Sequence, residues 1–177
     1  MARLLLDFPP ERSNHRKREE TMEQSLEKVT PQVHRSRISV PYSWWAGDTA
    51  SRFFLNIRDE KRISGTRCEQ CNKVYIPPRK TCPACFTAIE NWVDVASRGT
   101  LISYTVARRQ LRAIPKKVPV IFGLIRLDGA DTAMLHYIDE IDPQQVAIGM
   151  RLEAVFAEAR SGGIQDIRHF RPEQNSD

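Results

Sequence analysis

The chain has 177 residues, 41% of them hydrophobic and 28% charged, and its 27 Lys and Arg against 22 Asp and Glu give a formal net charge of +5. A chain of this length forms one ordinary domain or two small ones, which excludes a large multidomain enzyme. Its longest apolar run, residues 118–125, is far shorter than the about 20 residues of a membrane-spanning helix. The N-terminal run Leu4-Leu5-Leu6 is also too short for a signal peptide, so we expect a cytoplasmic protein with reduced thiols and no membrane partner.

The first predicted segments are a flexible extension, residues 1–40, and an aromatic docking helix, residues 41–63. The extension is rich in charge and poor in apolar residues. In the second segment Asp48 is a suitable N-cap, and apolar residues then recur at helical spacing over about 48–61. Either this apolar face packs on its own domain, or its aromatic residues bind a partner protein, since aromatic side chains are enriched at interfaces. The predicted interface residues are Tyr42, Trp44, Trp45, Phe53 and Phe54.

All four cysteines lie in two CxxC pairs, Cys68/Cys71 and Cys82/Cys85, which define a predicted zinc ribbon over residues 64–95. Two such pairs separated by a β-hairpin place four thiolates at the corners of a tetrahedron, the ligand set of a closed structural Zn²⁺ site. Asn72 follows the first pair at a predicted sharp turn, because Asn tolerates left-handed backbone. Rubredoxin-type iron uses the same ligand set, and a redox dithiol pair is the weaker alternative. Since four cysteines fill the coordination sphere, no position is left for a substrate.

Residues 96–172 are rich in β-branched residues and predict a small barrel, followed by a tail at 173–177. Asp128-Gly129 is a hairpin signal, and Asp142-Pro143 starts a predicted short helical turn that ends near Gly149. Five strands with one helical turn between the third and fourth favour an oligonucleotide/oligosaccharide-binding (OB) barrel, with a generic β-sandwich as the alternative. The predicted strands are 99–107, 118–127, 132–138, 150–157 and 164–170.

Several short motifs follow one another along residues 41–172. They are Tyr42-Ser-Trp-Trp-Ala-Gly, Arg67-Cys-Glu-Gln-Cys, Tyr75-Ile-Pro-Pro-Arg, Cys82-Pro-Ala-Cys, Trp92-Val, Arg98-Gly-Thr-Leu-Ile-Ser-Tyr-Thr-Val, Pro119-Val and Ile148-Gly-Met-Arg-Leu-Glu. The Pro-Pro-Arg between the cysteine pairs and the Gly-Thr-Leu-x-Ser-Tyr-Thr-Val strand make the set specific. The set resembles the acyl-CoA-associated family that joins a rubredoxin-like zinc ribbon to an OB-fold and serves as accessory subunit of thiolase-like enzymes. Asn72 stands where that family usually has Gly, and Ala96-Ser97 replaces a Gly-containing pair.

The resemblance implies a mostly β protein: an N-terminal helix, a rubredoxin-like zinc ribbon and a five-stranded OB-fold barrel. It also implies a non-catalytic zinc-binding subunit of a thiolase-like acyl-CoA complex. Such a subunit is needed for assembly or activity of its catalytic partner in CoA-thioester catabolism of the β-oxidation type, here assigned to aromatic acids. The expected assembly is an α2β2 hetero-oligomer in which a CoA thioester is shared with the partner.

No catalytic residues are predicted for the chain itself. All thiols are assigned to metal, while a thiolase needs a reactive cysteine with an acid–base partner. His136 and His169 fall in predicted strands, where a lone histidine is usually a surface or hydrogen-bonded residue. Asp139, Glu140 and Asp142 form an acidic cluster that we interpret as a solvated edge.

A basic loop lies between the first two barrel strands, and no acidic residue occurs between Gly99 and Arg126. It is either a solvated loop, a contact for the phosphates of CoA, or part of a single-stranded nucleic-acid site. Nucleic acid is the alternative function, but no aromatic residue is interleaved with these cations, and the acidic stretch 128–142 would repel a strand. The candidate CoA contacts are Arg108, Arg109, Arg112, Lys116 and Lys117.

Overall fold

The computed structural model describes residue 30, residues 32–36, residue 38, and residues 40–110 and 114–174. Most of the predicted flexible extension and the end of the predicted tail therefore lie outside the described residues. The chain divides into two units, Met1–Ser43 and Trp44–Asp177, and the second unit carries every helix and strand described below. These elements are α1 (Asp48–Glu60), β1 (Ser64–Arg67), β2 (Val74–Tyr75), β3 (Asn91–Asp94), β4 (Arg98–Ala107), β5 (Val120–Leu127), β6 (Met134–Ile138), β7 (Arg151–Phe156), a 3₁₀ helix (Ile164–Asp166) and β8 (Ile167–Pro172).

Helix α1 matches the predicted helix except at its start. The N-cap is Gly47, whose φ of 83° suits glycine, and Asp48 is the first helical residue rather than the cap. In that position the carboxylate still interacts favourably with the positive end of the helix dipole. The helix ends at Lys61, which adopts the left-handed conformation and donates its N–H to the Ile57 carbonyl at 3.2 Å. Phe53 and Ile57 are buried, so this face of α1 packs on its own domain.

The ribbon is a three-stranded antiparallel sheet in the order β2-β1-β3. The first CxxC pair occupies the turn between β1 and β2, and the second lies in the connection from β2 to β3. The prediction that a β-hairpin separates the two pairs is therefore wrong in detail. The hairpin of β1 and β2 carries the first pair at its tip, because the turn that reverses the chain is formed by the cysteine pair itself.

Residues 98–172 form the predicted five-stranded OB barrel, closed in the order β4-β5-β6-β8-β7. Its neighbouring strands are antiparallel except β6 and β8, which meet in parallel at Ile138 and Phe170. The predicted helical turn begins at Asp142, whose carbonyl accepts the Gln145 N–H at 2.9 Å, but it is a single turn and does not extend to Gly149. The predicted last strand also begins too early, because the Asp166 carboxylate accepts the N–H groups of Ser161 and Gly162 at 2.9 and 2.7 Å and holds a 3₁₀ turn ahead of β8.

The ribbon and the barrel share one core and one set of backbone hydrogen bonds. Ile63 and Ile76 of the ribbon region lie in the same buried cluster as the barrel residues Leu101 and Phe170. The loop from β5 to β6 extends the edge of β2. Asp131 donates its N–H to the Val74 carbonyl at 2.9 Å and accepts the Val74 N–H on Oδ2 at 2.7 Å. Thr132 Oγ1 accepts the Ile76 N–H at 2.7 Å and donates to the Ile76 carbonyl at 2.9 Å. This edge fixes the orientation of the ribbon on the barrel.

Candidate metal centre and binding surfaces

Each cysteine pair is held by a tight backbone turn. In the first, Cys68 donates its N–H to the Lys73 carbonyl at 2.9 Å, and Asn72 adopts a φ of 52°, as its turn preference predicts. In the second, Cys82 donates its N–H to the Thr87 carbonyl at 2.9 Å, and Phe86 adopts a φ of 61°. These turns aim all four sulfurs at one point.

The four sulfurs fit a tetrahedral metal ion. All lie within 4.8 Å of one another, and the Cys68–Cys85 and Cys71–Cys82 sulfur pairs are 3.5 and 3.8 Å apart. A tetrahedral Zn²⁺ with Zn–S distances of about 2.3 Å requires sulfur separations of about 3.8 Å. Cys68 and Cys82 are buried, whereas Cys71 and Cys85 are half-buried. The donor set suits Zn²⁺, and all of its ligands come from the protein, as in structural sites.

The buried Tyr75 hydroxyl polarises this centre. It lies 3.2 Å from Cys82 Sγ, and its hydrogen bond lowers the pKa of the Cys82 thiol to about 6 while the pKa of Tyr75 rises to about 12. By contrast, hydrogen bonding to Cys85 raises the pKa of Cys71 to about 12. The hydrogen bond from Tyr75 therefore favours the thiolate form of Cys82, and metal binding requires all four sulfurs to lose their protons.

The predicted partner interface separates into exposed and buried residues. Tyr42, Trp44 and Trp45 are 82%, 74% and 76% exposed. Phe53 is only 2% exposed and lies in the core, so its prediction as an interface residue is wrong. Phe54 is half-buried against the same core. Exposed and buried aromatic residues follow closely in the sequence here, and only their position relative to the core distinguishes them.

Of the candidate CoA contacts in the basic loop, the structure brings Lys116 and Lys117 to one cavity. Arg108 and Arg109 are exposed, and Arg112 lies outside the described residues. Lys116 donates to Asp139 Oδ2 at 3.0 Å and stands 4.9 Å from the centre of the Tyr137 ring. Both lysines border a cavity with a third cation, Arg168, which sequence reasoning missed because it is distant from them in the chain.

The two buried histidines of the barrel each have a hydrogen-bond partner at Nε2, whereas Nδ1 of His169 has none among the described residues. His136 is buried, its Nε2 lies 3.2 Å from the Ile164 carbonyl, and burial lowers its pKa. His169 is buried and pairs with Glu140 at 2.8 Å, which lowers the pKa of that carboxyl. The solvated-edge interpretation of the acidic cluster is thus too simple, because Asp139 pairs with Lys116 and Glu140 with His169.

One exposed aromatic residue was not anticipated. Phe86 follows the second cysteine pair and is 80% exposed despite its left-handed backbone. Its position directly after a CxxC pair is the sequence signal that could have predicted its exposure. None of the helices in the described residues is long and apolar enough to cross a membrane.

Two solved structures are similar to this chain in fold. The "Ltp2-ChsH2(DUF35) aldolase" matches with a TM-score of 0.54 and 24% identity, over 73% of this chain and 98% of that one. A DUF35 protein of unknown function from Sulfolobus solfataricus matches with a TM-score of 0.50 and 23% identity, over 78% of this chain and 89% of that one. At these identities the likeness concerns the fold.

Two archaeal proteins are similar in sequence, and each is described as a DUF35 domain-containing scaffold protein. The one from Methanocaldococcus jannaschii is 27% identical over 129 residues, 70% of this chain and 91% of the relative. The one from Methanothermobacter thermautotrophicus is 25% identical over 118 residues, 66% of this chain and 87% of the relative.

Two family models match consecutive parts of the chain. Residues 56–90 match the rubredoxin-like zinc ribbon domain of ChsH2, and residues 92–157 match its C-terminal OB-fold domain. Together the matches span more than half of the chain and include all four cysteines. This protein therefore belongs to the ChsH2-like DUF35 family, which joins a rubredoxin-like zinc ribbon to an OB-fold.

Proposed function

We propose that the chain is a non-catalytic scaffold subunit that holds a thiolase-like enzyme of CoA-thioester catabolism in its active assembly. The observation that carries the proposal is the pair Trp44 and Trp45, both about three-quarters exposed and directly ahead of a helix anchored in the core. Tryptophan is the residue most enriched in binding hot spots. Two adjacent exposed indoles next to a helix that packs on the core therefore favour a partner protein at this position.

The chemistry of the chain supports a scaffold rather than an enzyme. The four thiols converge on one closed centre, and the buried histidines of the barrel are occupied by a carbonyl and a carboxylate. The archaeal relatives are described as scaffold proteins, and ChsH2 is named together with the aldolase Ltp2. The thiolase-like class of the partner and the α2β2 stoichiometry come from the family resemblance.

The experiment is affinity purification of the full tagged chain from its native host, followed by mass spectrometry and light scattering. We expect a thiolase-family protein at a 1:1 ratio in a particle of α2β2 mass. Replacing Trp44 and Trp45 by Ala should weaken the complex by about 30-fold or more, because interface tryptophans contribute about 2 kcal/mol or more.

The matched control is Tyr104→Ala, an exposed aromatic residue on β4. It should leave the complex intact, and circular dichroism and zinc content should be equal in all variants. Recovery of a lone monomer, together with full activity of the catalytic enzyme without this chain, would overturn the proposal.

A further inference from the structure

One end of the barrel contains a cavity of about 370 Å³ that the metal centre does not use. The loop from β4 to β5, the start of β5, the end of β6 and the start of β8 enclose it. Its apolar wall includes the buried side chains of Val120, Ile121 and Ile138, and Ile141 and Pro143 complete one side. A cavity of this size lies within the range of about 300–1,000 Å³ that is typical of small-molecule sites.

The charges around this cavity do not cancel. Its one carboxylate, Asp139, is paired with Lys116 at 3.0 Å. Lys117 and Arg168 are exposed at the rim, and neither forms an ion pair in the part of the chain that the structure describes. Two uncompensated positive charges therefore border a cavity with one apolar wall, a combination that favours an anionic group on an apolar body.

Gln110 contacts the described segment 114–118, which carries both lysines. Gln110 donates through Nε2 to the carbonyls of Ile114 and Lys116, at 2.9 and 3.3 Å, and accepts the Val118 N–H on Oε1 at 3.3 Å. Arg168 stands on β8, a strand of the closed barrel. This strand position of Arg168 reduces the backbone entropy lost when a ligand binds.

We propose that this cavity binds a phosphomonoester carried on an aromatic or apolar body, with Lys117 and Arg168 as the phosphate ligands. A phosphomonoester carries nearly two negative charges at pH 7, which matches the two unpaired cations. Guanidinium presents paired N–H donors to phosphate oxygens, and the ammonium of Lys117 adds a point charge. The nucleotide end of CoA carries such a phosphomonoester, the 3′-phosphate on adenosine. The proposal deepens the proposed function, and it rests on that function only for CoA as the source of the phosphate.

The test is calorimetric titration of the purified, zinc-loaded full chain with four probes: CoA, 3′-dephospho-CoA, adenosine 5′-monophosphate and adenosine. We expect a phosphomonoester probe to bind at least tenfold more tightly than adenosine. Binding of CoA that falls at least tenfold on removal of its 3′-phosphate supports the site and assigns CoA as the source. Binding of adenosine 5′-monophosphate at least tenfold tighter than that of CoA, with CoA binding unaffected by removal of its 3′-phosphate, supports the site with free nucleotides as the source.

The variants Lys117→Ala and Arg168→Ala should each weaken that binding at least tenfold. Lys80→Ala and Arg126→Ala remove exposed cations outside the cavity and should leave binding unchanged. Absence of binding by all probes at millimolar concentration, or equal losses in the control variants, would overturn the proposal. Co-purification with a catalytic partner without phosphomonoester binding would overturn this inference while leaving the scaffold function standing.

Discussion

The ribbon and the barrel are two small β structures in one chain, but different forces hold them together. Apart from the half-buried Cys71 and Cys85, the ribbon's own cluster contains only Cys68, Tyr75, Cys82 and Ile89. The barrel contributes most of a cluster of fourteen buried apolar residues, to which α1 adds Phe53 and Ile57. Two of the four residues in the ribbon cluster are metal ligands, whereas the barrel has a continuous apolar interior. A ribbon this small depends on metal binding for its folding free energy, and the barrel depends on burial.

Metal removal should therefore unfold the ribbon but not the barrel, and we expect this to be the largest of the predicted effects on stability. Structural zinc contributes about 10–16 kcal/mol to folding in zinc-finger peptides, far more than the ribbon cluster supplies by burial. We expect a strong chelator, or Cys82→Ser, to collapse the amide NMR signals of residues 64–95 while most barrel signals remain. The barrel should lose some stability, because Ile63 and Ile76 belong to its core.

Metal analysis should give one zinc per wild-type chain and close to zero for the variant. Substitution of Ser103, an exposed residue of β4, by Ala is the control. A ribbon that stays folded without metal would contradict the view that metal binding stabilises the ribbon and burial stabilises the barrel. Unfolding of both regions in a single step would contradict it as well.

The reciprocal change is Phe170→Ala in the barrel. Phe170 is fully buried, and truncation of a buried Phe costs about 3–5 kcal/mol. We expect a large fall in the urea midpoint with zinc stoichiometry unchanged at one per chain. Leu135→Ala, at an exposed leucine of the neighbouring β6, should change the midpoint little. Loss of zinc from the folded Phe170 variant would show that the metal centre depends on barrel packing.

The smallest expected effect is a loss of barrel stability at acidic pH. Burial lowers the pKa of His136 below its usual 6.5, and nearby Lys116 and His169 act in the same direction. The unfolded chain therefore binds the proton first. The contribution of neutral His136 to the free energy of unfolding is complete above about pH 6.5 and is lost as the pH falls towards the folded-state pKa.

The measurement is urea unfolding of wild type and His136→Phe between pH 8 and 5.5. The free energies of unfolding of the two proteins should diverge by no more than about 1.4 kcal/mol per pH unit, which is the limit for one bound proton. Replacement of the exposed His34 by Gln should leave the wild-type profile unchanged. Parallel profiles for wild type and His136→Phe would exclude the buried histidine as the source of acid sensitivity.

Local patterns in the sequence predicted most of the elements. The two CxxC pairs indicated the metal centre, because both knuckles form within a few residues and need only one ion to join them. The β-branched runs located four of the barrel strands to within two residues. The errors arose where a side chain reaches back along the chain, as when the Asp166 carboxylate binds the N–H groups of Ser161 and Gly162 and delays β8.

The sequence by itself therefore determined the ligand set, the strand-rich barrel and the family, because these depend on short spacings and alternating residue types. Only the tertiary structure decided that Phe53 is core while Trp44 and Trp45 are exposed, since burial depends on what packs against a helix. It likewise decided that Val74 is hydrogen-bonded to Asp131 and that Lys117 and Arg168 border the same cavity. These contacts join residues about 50 or more positions apart, and barrel closure brings them together through hydrogen bonds and packing that no local pattern encodes.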